Sequence, residues 1–412
     1  MSDEKLTIST LISIAENEPQ SLQTYADKAV NLDFFANDSA HHKLFKNVSF
    51  PNLETLCLDA SDHNDEASLG PYLQPKLKRF FFYGGPISDV FLEKLRAACP
   101  LLEELLIDNP RDLISPEGFL RFLDGAKALK RVSAIYGMGR AVNDAVVVPL
   151  VTKPGLEILE FQEPITEDLA AKIVAEKSRQ GAGEKLFPRL RELKCAAESG
   201  ALTILLPHLS GLSRLDVNVV YERIPSTPIQ DCAIRHIGSH CTDLRTLEVQ
   251  YSAKKDQHVH LIPEALVGLG QRLNKLEELN ISGSMVNAPM LRDAHVGSML
   301  EGQRHLRTLR LMFSCRLTES ALVEAARHCG ASLEELKLFG TYNLVNLVGS
   351  DVSFPQLTFL EVVYLMSSRA DKAAEAADIA RLLKKMAPQL EYFDSICPSV
   401  LGDMVSDKFY EL

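Results

Sequence analysis

The sequence predicts an α/β fold, a solenoid (horseshoe) with a concave parallel β-sheet and convex helices, and three observations predict it. The first is repetition. An apolar-x-x-apolar-x-apolar pattern begins at Leu53, Leu77, Leu102, Leu129, Leu156, Leu190, Leu212, Leu244, Leu276, Leu306, Leu333, Leu357 and Leu390. Thirteen copies at a mean spacing of about 28 residues describe a chain of stacked units. The second is alternation at the end of each copy, as in Leu244-Arg-Thr-Leu247-Glu-Val249 and Leu333-Glu-Glu-Leu336-Lys-Leu338. A strand there turns its apolar side chains to one face and its polar ones to the other. The third lies between the copies. Ile87-Ser-Asp89 precedes Phe91, Leu92, Leu95 and Cys99, and Ile229-Gln-Asp231 precedes Ala233, Ile234, Ile237 and Cys241. A Ser or Asp ahead of an apolar face with helical spacing starts a helix. Looser copies begin at Ile114, Ile165 and Leu317. Strands recurring in one direction with such crossovers must pair in parallel, with the helices behind them.

The ends follow from the same logic. Leu6 to Ala15 and Ser21 to Lys28 read as polar-faced helices, and Val30-Asn-Leu32-Asp-Phe34 alternates like one more strand. Residues 1–49 are therefore expected to form an N-terminal helical cap or degenerate repeat, since a first unit cannot bury both its faces. Residues 50–397 form the repeat solenoid, and 398–412 a C-terminal cap or tail. Within 364–388, the Ala-, Lys- and Glu-rich run Arg369 to Met386 predicts one long helix. Gly181-Ala-Gly183-Glu-Lys185, with Ser178, Arg179 and Gln180, marks a mobile insertion that lengthens its repeat.

The helix-plus-strand pattern closely resembles the cysteine-containing leucine-rich repeats (RNI-like) of F-box proteins, the substrate-recognising subunits of cullin-type ubiquitin ligases, and of fungal members in particular. The resemblance covers about residues 50 to 400, and the segments at Ile87 and Ile229, each running to a Cys ahead of the next copy, match it best. It implies a protein partner on the concave face and no cofactor. In that family a Cys or Asn at the ninth repeat position bonds the turn. Here Ser314 holds that position, Cys315 comes one residue late, and most repeats have neither, so a continuous turn ladder is not expected. Residues 1–49 contain no Leu-Pro pair of the kind that opens an F-box. Ubiquitin-ligase subunits are thus expected partners only if an F-box exists upstream; otherwise the chain is a free-standing repeat protein.

Composition bounds the function. Apolar residues make up 46% of the 412 positions, enough for a continuous core, and 24% are charged. No stretch reaches the ~18 apolar residues of a membrane helix, and Leu6 to Ala15 is unlike a signal peptide. A cytoplasmic or nuclear monomer without membrane contact is expected. A net charge of −11 argues against nucleic acid as a partner. Of eight cysteines, Cys99, Cys241 and Cys329 share one helical position and read as small buried apolar residues rather than disulfides.

Four constellations could suggest chemistry. Cys232, His236, His240 and Cys241 have a spacing that could gather zinc on one helix, but the repeat register turns Cys241 inward and both histidines outward. Gly137-Met-Gly139 lacks the third glycine and the acidic residue of a dinucleotide loop and reads as a turn. Gly181 to Lys185 lacks the Gly-Lys-Ser/Thr of a phosphate loop. His208, His258, His260 and His295 have no nucleophile that can be placed beside them. No catalytic, cofactor-binding or metal-binding residue is expected, and the chain reads as not an enzyme.

What remains is the strand surface. The central lane of outward residues runs from Cys57 through Phe81, Leu106, Ser133, Glu160, Lys194, Asp216, Glu248, Asn280, Arg310, Lys337 and Glu361 to Asp394. The next lane contains Tyr83, Asp108, Ile135, Ser282, Met312, Phe339, Val363 and Ile396. Two patches stand out as partner-binding candidates on the concave face: Phe81, Tyr83 and Leu106 with Ile135, and Arg310, Lys337, Met312 and Phe339 with Val363 and Tyr364. Aromatic residues and Arg gathered on a surface have the composition of an interface hot spot. The acidic middle, with Glu160, Asp216 and Glu248, could steer a basic partner segment. A protein-recognition scaffold of the F-box type is the expected function. A ligase-independent interaction or assembly scaffold is the alternative, and a small-GTPase regulator ranks last.

Overall fold

The computed structural model describes residues 7–34, 39–61, 66–180, 187, 189–221, 229–230, 232–252, 258–396 and 399–412. They divide into two compact units, residues 1–163 with 172–195, and 164–171 with 196–412.

In the first unit the helices α1 (Ile8–Asn17) and α2 (Leu22–Ala26) precede the strands β1 (Asn31–Asp33), β2 (Thr55–Leu58), β3 (Arg79–Phe82), β4 (Glu104–Ile107), β5 (Arg131–Ala134), β6 (Ile158–Phe161) and the start of β7 (Glu192–Glu198). Each pairs in parallel with the next, so that Leu32, Leu56, Phe80, Leu105, Val132, Leu159 and Leu193 lie side by side. All seven are buried. This column is what the repeated Leu predicts: period 2 within a strand and a constant register between strands put one apolar residue per repeat at the same depth. The crossovers are α3 (Asp89–Ala98), α4 (Pro116–Gly125), α5 (Asp144–Val151) and α6 (Glu167–Gln180), the last of which begins in the second unit.

The second unit continues the pattern in β8 (Arg214–Val220), β9 (Ile229–Gln230), β10 (Thr246–Ser252), β11 (Val259–His260), β12 (Glu278–Ala288), β13 (Thr308–Cys315), β14 (Glu335–Tyr342), β15 (Phe359–Leu365) and β16 (Tyr392–Ser395). Leu215, Leu247, Leu279, Leu309, Leu336, Leu360 and Phe393 form its buried column. The short β9 and β11 add a second parallel ladder on the far end of β12, through Val259 and Val286. Behind the sheet stand α7 (Ser199–Leu205), α8 (Ala233–His240), α9 (Pro263–Arg272), α10 (Asp293–Leu300), α11 (Glu319–Cys329), α12 (Lys372–Met386) and α13 (Val400–Glu411).

The helix starts are tied from repeat to repeat. Glu66 accepts from the Ser88 amide and hydroxyl, both at 2.9 Å; Asp89 then accepts from the Ser115 amide at 2.8 Å and hydroxyl at 2.5 Å. In the second unit Asp293 takes the Thr318 amide and hydroxyl at 2.9 and 2.8 Å, and Glu319 takes the Asn343 amide at 3.1 Å. The acid of one repeat thus satisfies the residue that opens the next, and Ser88 and Ser115 in turn cap their own helices.

Three expectations change. The helix expected within 364–388 starts only at Lys372, because Asp371 caps it by accepting from the Ala373 and Ala374 amides, and residues 366–371 form a loop. Ser178 to Gln180 close α6 rather than open an insertion, while Gly181 to Lys185 lie outside the described residues. The C-terminal segment, undecided between cap and tail, is a helix from Val400 that buries Leu401, Val405 and Phe409. The described cysteines are free thiols, and Cys99, Cys241 and Cys329 are buried.

Leu309 is fully buried at the centre of its column. Replacing it with Ala removes its contacts and leaves a cavity that β12 and β14 cannot fill, so Leu309→Ala is expected to cost about 2 to 5 kcal/mol. Denaturant unfolding measures this; an unchanged midpoint would refute the column.

Candidate functional site

The outward residues of β13 to β16 are placed by strand register. Arg310 lies opposite Lys337, Lys337 opposite Glu361 and Glu361 opposite Asp394. The two cations are not idle. Arg310 donates to Glu335 through Nε at 2.9 Å and Nη2 at 2.5 Å, a two-pronged pair whose hydrogen bonds raise the pKa of the guanidinium further. Lys337 Nζ sits 3.3 Å from Glu361 and 3.5 Å from Glu335, and 4.4 Å from the centre of the Phe359 ring. That ring stacks on Tyr392 at 4.4 Å. The sequence suggested two available cations; the fold commits both to carboxylates of the same sheet.

The second lane departs from the sequence at one strand. Pairing of β14 with β15 slips between Leu338 and Thr341, so Thr341 faces Tyr364. Val363, expected on the lane, is 4% exposed, whereas Tyr364 is 42% exposed. Gly340 sits at the slip against the backbone of Leu317, where a Cβ would come within 2.5 Å of the carbonyl oxygen. Cys315, the late cysteine, donates from Sγ to the Phe339 carbonyl at 3.0 Å and holds the adjoining residue. The Phe339 and Tyr364 rings meet edge to face at 5.9 Å. Ile396, 45% exposed, follows beside them, its amide bonded to the Val362 carbonyl. Met312 on β13, Phe339 on β14, Tyr364 on β15 and Ile396 just after β16 thus line up as apolar positions at the ends of four neighbouring strands.

Beyond Tyr364 the loop 366–371 is fastened by one buried carboxylate. Glu375, 0% exposed, accepts from the Ser367 hydroxyl at 2.6 Å, the Ser368 amide and hydroxyl at 2.8 and 2.9 Å, and the Arg369 amide at 3.4 Å. Burial works to raise its pKa, but the hydrogen bonds together outweigh burial and hold it below the usual carboxylate range. Arg369 also pairs with Asp378. Sequence reasoning missed this device, because a lone Glu in an Ala-rich helix reads as solvated surface.

In the first unit Phe81 lies opposite Leu106, and both are half-buried, as are Tyr83 and Ile135. Burial and the neighbouring Asp33 push the Cys57 thiol up to about 12, which favours the protonated thiol over the thiolate. Asp108 accepts from the Tyr136 amide at 3.1 Å, and burial raises its pKa. The loop after it holds Asn109, Arg111 and Asp112 with φ of 50°, 55° and 56°, the left-handed region. It exposes Leu113, and the neighbouring strand end exposes Tyr136. Neither residue was singled out from sequence, because the left-handed backbone that exposes them falls on Asn109, Arg111 and Asp112, where no glycine signals it.

A cleft of about 650 Å³ between the ends of α4, α5 and α6 is lined by Leu123, Val148, Pro149, Lys127 and Lys153 among others. Lys153 Nζ donates to the Leu123 carbonyl at 2.6 Å and Lys177 Nζ to the Thr152 carbonyl at 3.5 Å. Both lysines satisfy carbonyls at helix C-termini, a structural role. On α8 the Cys241 thiol is buried and points to the Leu209 carbonyl at 3.7 Å, Cys232 lies 3.4 Å from the Ser199 hydroxyl, and the half-buried His236 and His240 rings stack at 6.1 Å. Among the described residues no three His, Cys, Asp or Glu side chains are grouped to hold a metal. No helix among them is long and apolar enough to cross a membrane.

The depressed pKa of Glu375 gives a pH dependence of known sign. Its stabilisation is present above the unfolded value, about 4.3, and is lost as the pH falls through the lower folded value. Acidification below pH ~4 should therefore release residues 366–371, seen as faster amide exchange there. Glu375→Gln should produce that release already at neutral pH, at a cost of about 1 to 3 kcal/mol.

No family model matches the chain, and neither does any curated protein. Among solved structures it is similar to a chain in the crystal structure of the Rad7 and Elc1 complex in yeast, with 14% identity over 93% of this chain and 88% of that one and a TM-score of 0.52. A leucine-rich repeat-containing protein, LegL7 from Legionella pneumophila, aligns at 10% identity over 88% of this chain and 98% of that one, with a TM-score of 0.34. The first likeness bears on the fold alone and agrees with the stacked parallel strands and crossover helices: the chain has the α/β fold of a leucine-rich-repeat solenoid.

Proposed function

We propose that this chain is a non-enzymatic protein-recognition scaffold whose main partner docks on the solvent face of β13 to β16. One observation carries the reading: the half-buried Met312 and Phe339 and the exposed Tyr364 and Ile396 present apolar and aromatic surface at the ends of four neighbouring paired strands. Exposed aromatics on a rigid support suit a hot spot, because little side-chain or backbone entropy is lost on binding. Arg310 and Lys337 take part as fixed members of the charged lane beside it. Phe81, Tyr83 and Leu106 form a second, smaller surface, flanked by the strained loop at Asn109 to Asp112, and are the alternative docking place.

The scaffold is read as working in the cytoplasm or nucleus, as a monomer and without cofactor or nucleic acid. Its repeats resemble those of F-box proteins, and the yeast chain of similar fold was crystallised in a complex of Rad7 and Elc1. Both favour assembly with a second protein. A role in feeding a bound protein to a ubiquitin ligase is the more specific form of the proposal, a ligase-independent scaffold its alternative, and regulation of a small GTPase the least favoured.

Affinity capture from cell extract tests the site. Phe339→Ala with Tyr364→Ala should weaken retention of the main partner by more than ~2 kcal/mol, about thirtyfold, with little change in unfolding midpoint because both side chains reach solvent. If that variant retains its partner while Phe81→Ala with Tyr83→Ala loses it, the docking place lies in the first unit.

A further inference from the structure

The charge on this face can be counted residue by residue. On β10 and β12 to β16, the central lane and the lane just before it hold five carboxylates, Glu248, Glu278, Glu335, Glu361 and Asp394, against two cations, Arg310 and Lys337; the docking strands β13 to β16 hold three of the five and both cations. The cations are consumed. Glu335 takes both prongs of Arg310, and Lys337 is shared between Glu335 and Glu361. Glu248 accepts from the Asn280 amide at 3.2 Å and lies within the field of Arg310, as Glu278 does, while Asp394 accepts from the Tyr392 hydroxyl at 3.3 Å. On these strands the carboxylates therefore outnumber the cations, and Asp394 is the one at the C-terminal edge.

The apolar lane runs beside that surplus. Asp394 and Ile396 are two residues apart, a span of about 7 Å in extended chain, and Ile396, just past the end of β16, keeps its amide on the Val362 carbonyl as a further rung would. An extended segment has the same repeat: its residues i and i+2 project to one side at that spacing. A segment laid along the strand direction would put one side chain against Asp394 and Glu361 and the second-next one against Tyr364 and Ile396.

Resting on the reading that this face binds protein, we infer that the segment it recognises is extended and basic, with Lys or Arg two residues from an apolar side chain. An acidic segment would meet like charge across the lane, and an uncharged one would leave the surplus unanswered.

Fluorescence polarisation with the full chain tests this. The probes are two labelled synthetic peptides, one repeating Lys-Ser-Leu-Ser and one with Glu at each Lys. The lysine peptide is expected to bind about tenfold or more tightly than the glutamate peptide at low salt, with the preference shrinking toward 0.5 M salt, where the screening length falls to roughly 4 Å. Asp394→Asn with Glu248→Gln should reduce the preference about fivefold, and Glu264→Gln on the exposed side of α9 should leave it unchanged. Equal or tighter binding of the glutamate peptide, no binding of either, or a preference indifferent to the Asp394 and Glu248 changes would overturn the inference. Those outcomes leave the docking face itself to the capture experiment, in which loss of the partner by Phe339→Ala with Tyr364→Ala supports the face whatever the charge of the segment.

Discussion

The structure depends on one constraint: no single repeat can bury its own apolar strand face, so each is stable only with a neighbour in register. The buried columns, Leu32 to Leu193 in one unit and Leu215 to Phe393 in the other, are the physical form of that constraint. A slip of one residue would turn a whole strand's Leu and Val to solvent, which fixes the pairing far more firmly than any polar contact could. The acid-to-cap links from Glu66 to Ser88, Asp89 to Ser115, Asp293 to Thr318 and Glu319 to Asn343 do for the helices what the columns do for the strands. They satisfy amides at the helix starts that would otherwise face a neighbour without a partner.

Once register is fixed, the outward positions become a surface whose chemistry is free to vary, and here it sorts into lanes. In the second unit a charged lane neutralises part of itself through Arg310, Lys337, Glu335 and Glu361, while the apolar positions beside it leave Tyr364 and Ile396 exposed. Cys57, Cys99, Cys241, Cys315 and Cys329 are all raised by burial to about 12, the opposite of what a nucleophile or metal ligand needs. Glu375, depressed by its hydrogen bonds, holds a loop.

The sequence by itself determined the repeating parallel architecture, the strand positions, the inward column along the strands and the place of most crossover helices. It could do so because period and register are local properties repeated many times, each copy reinforcing the next. Tertiary structure alone decided where that periodicity breaks. The slip at Gly340 trades Val363 for Tyr364 on the apolar lane, and it arises from backbone packed against the Leu317 carbonyl, a contact with no signature in the strand itself. The pairing of Arg310 with Glu335, and the capture of loop 366–371 by Glu375, join residues whose types are unremarkable one by one. Periodicity tells which way a side chain faces; only the folded chain decides what stands beside it.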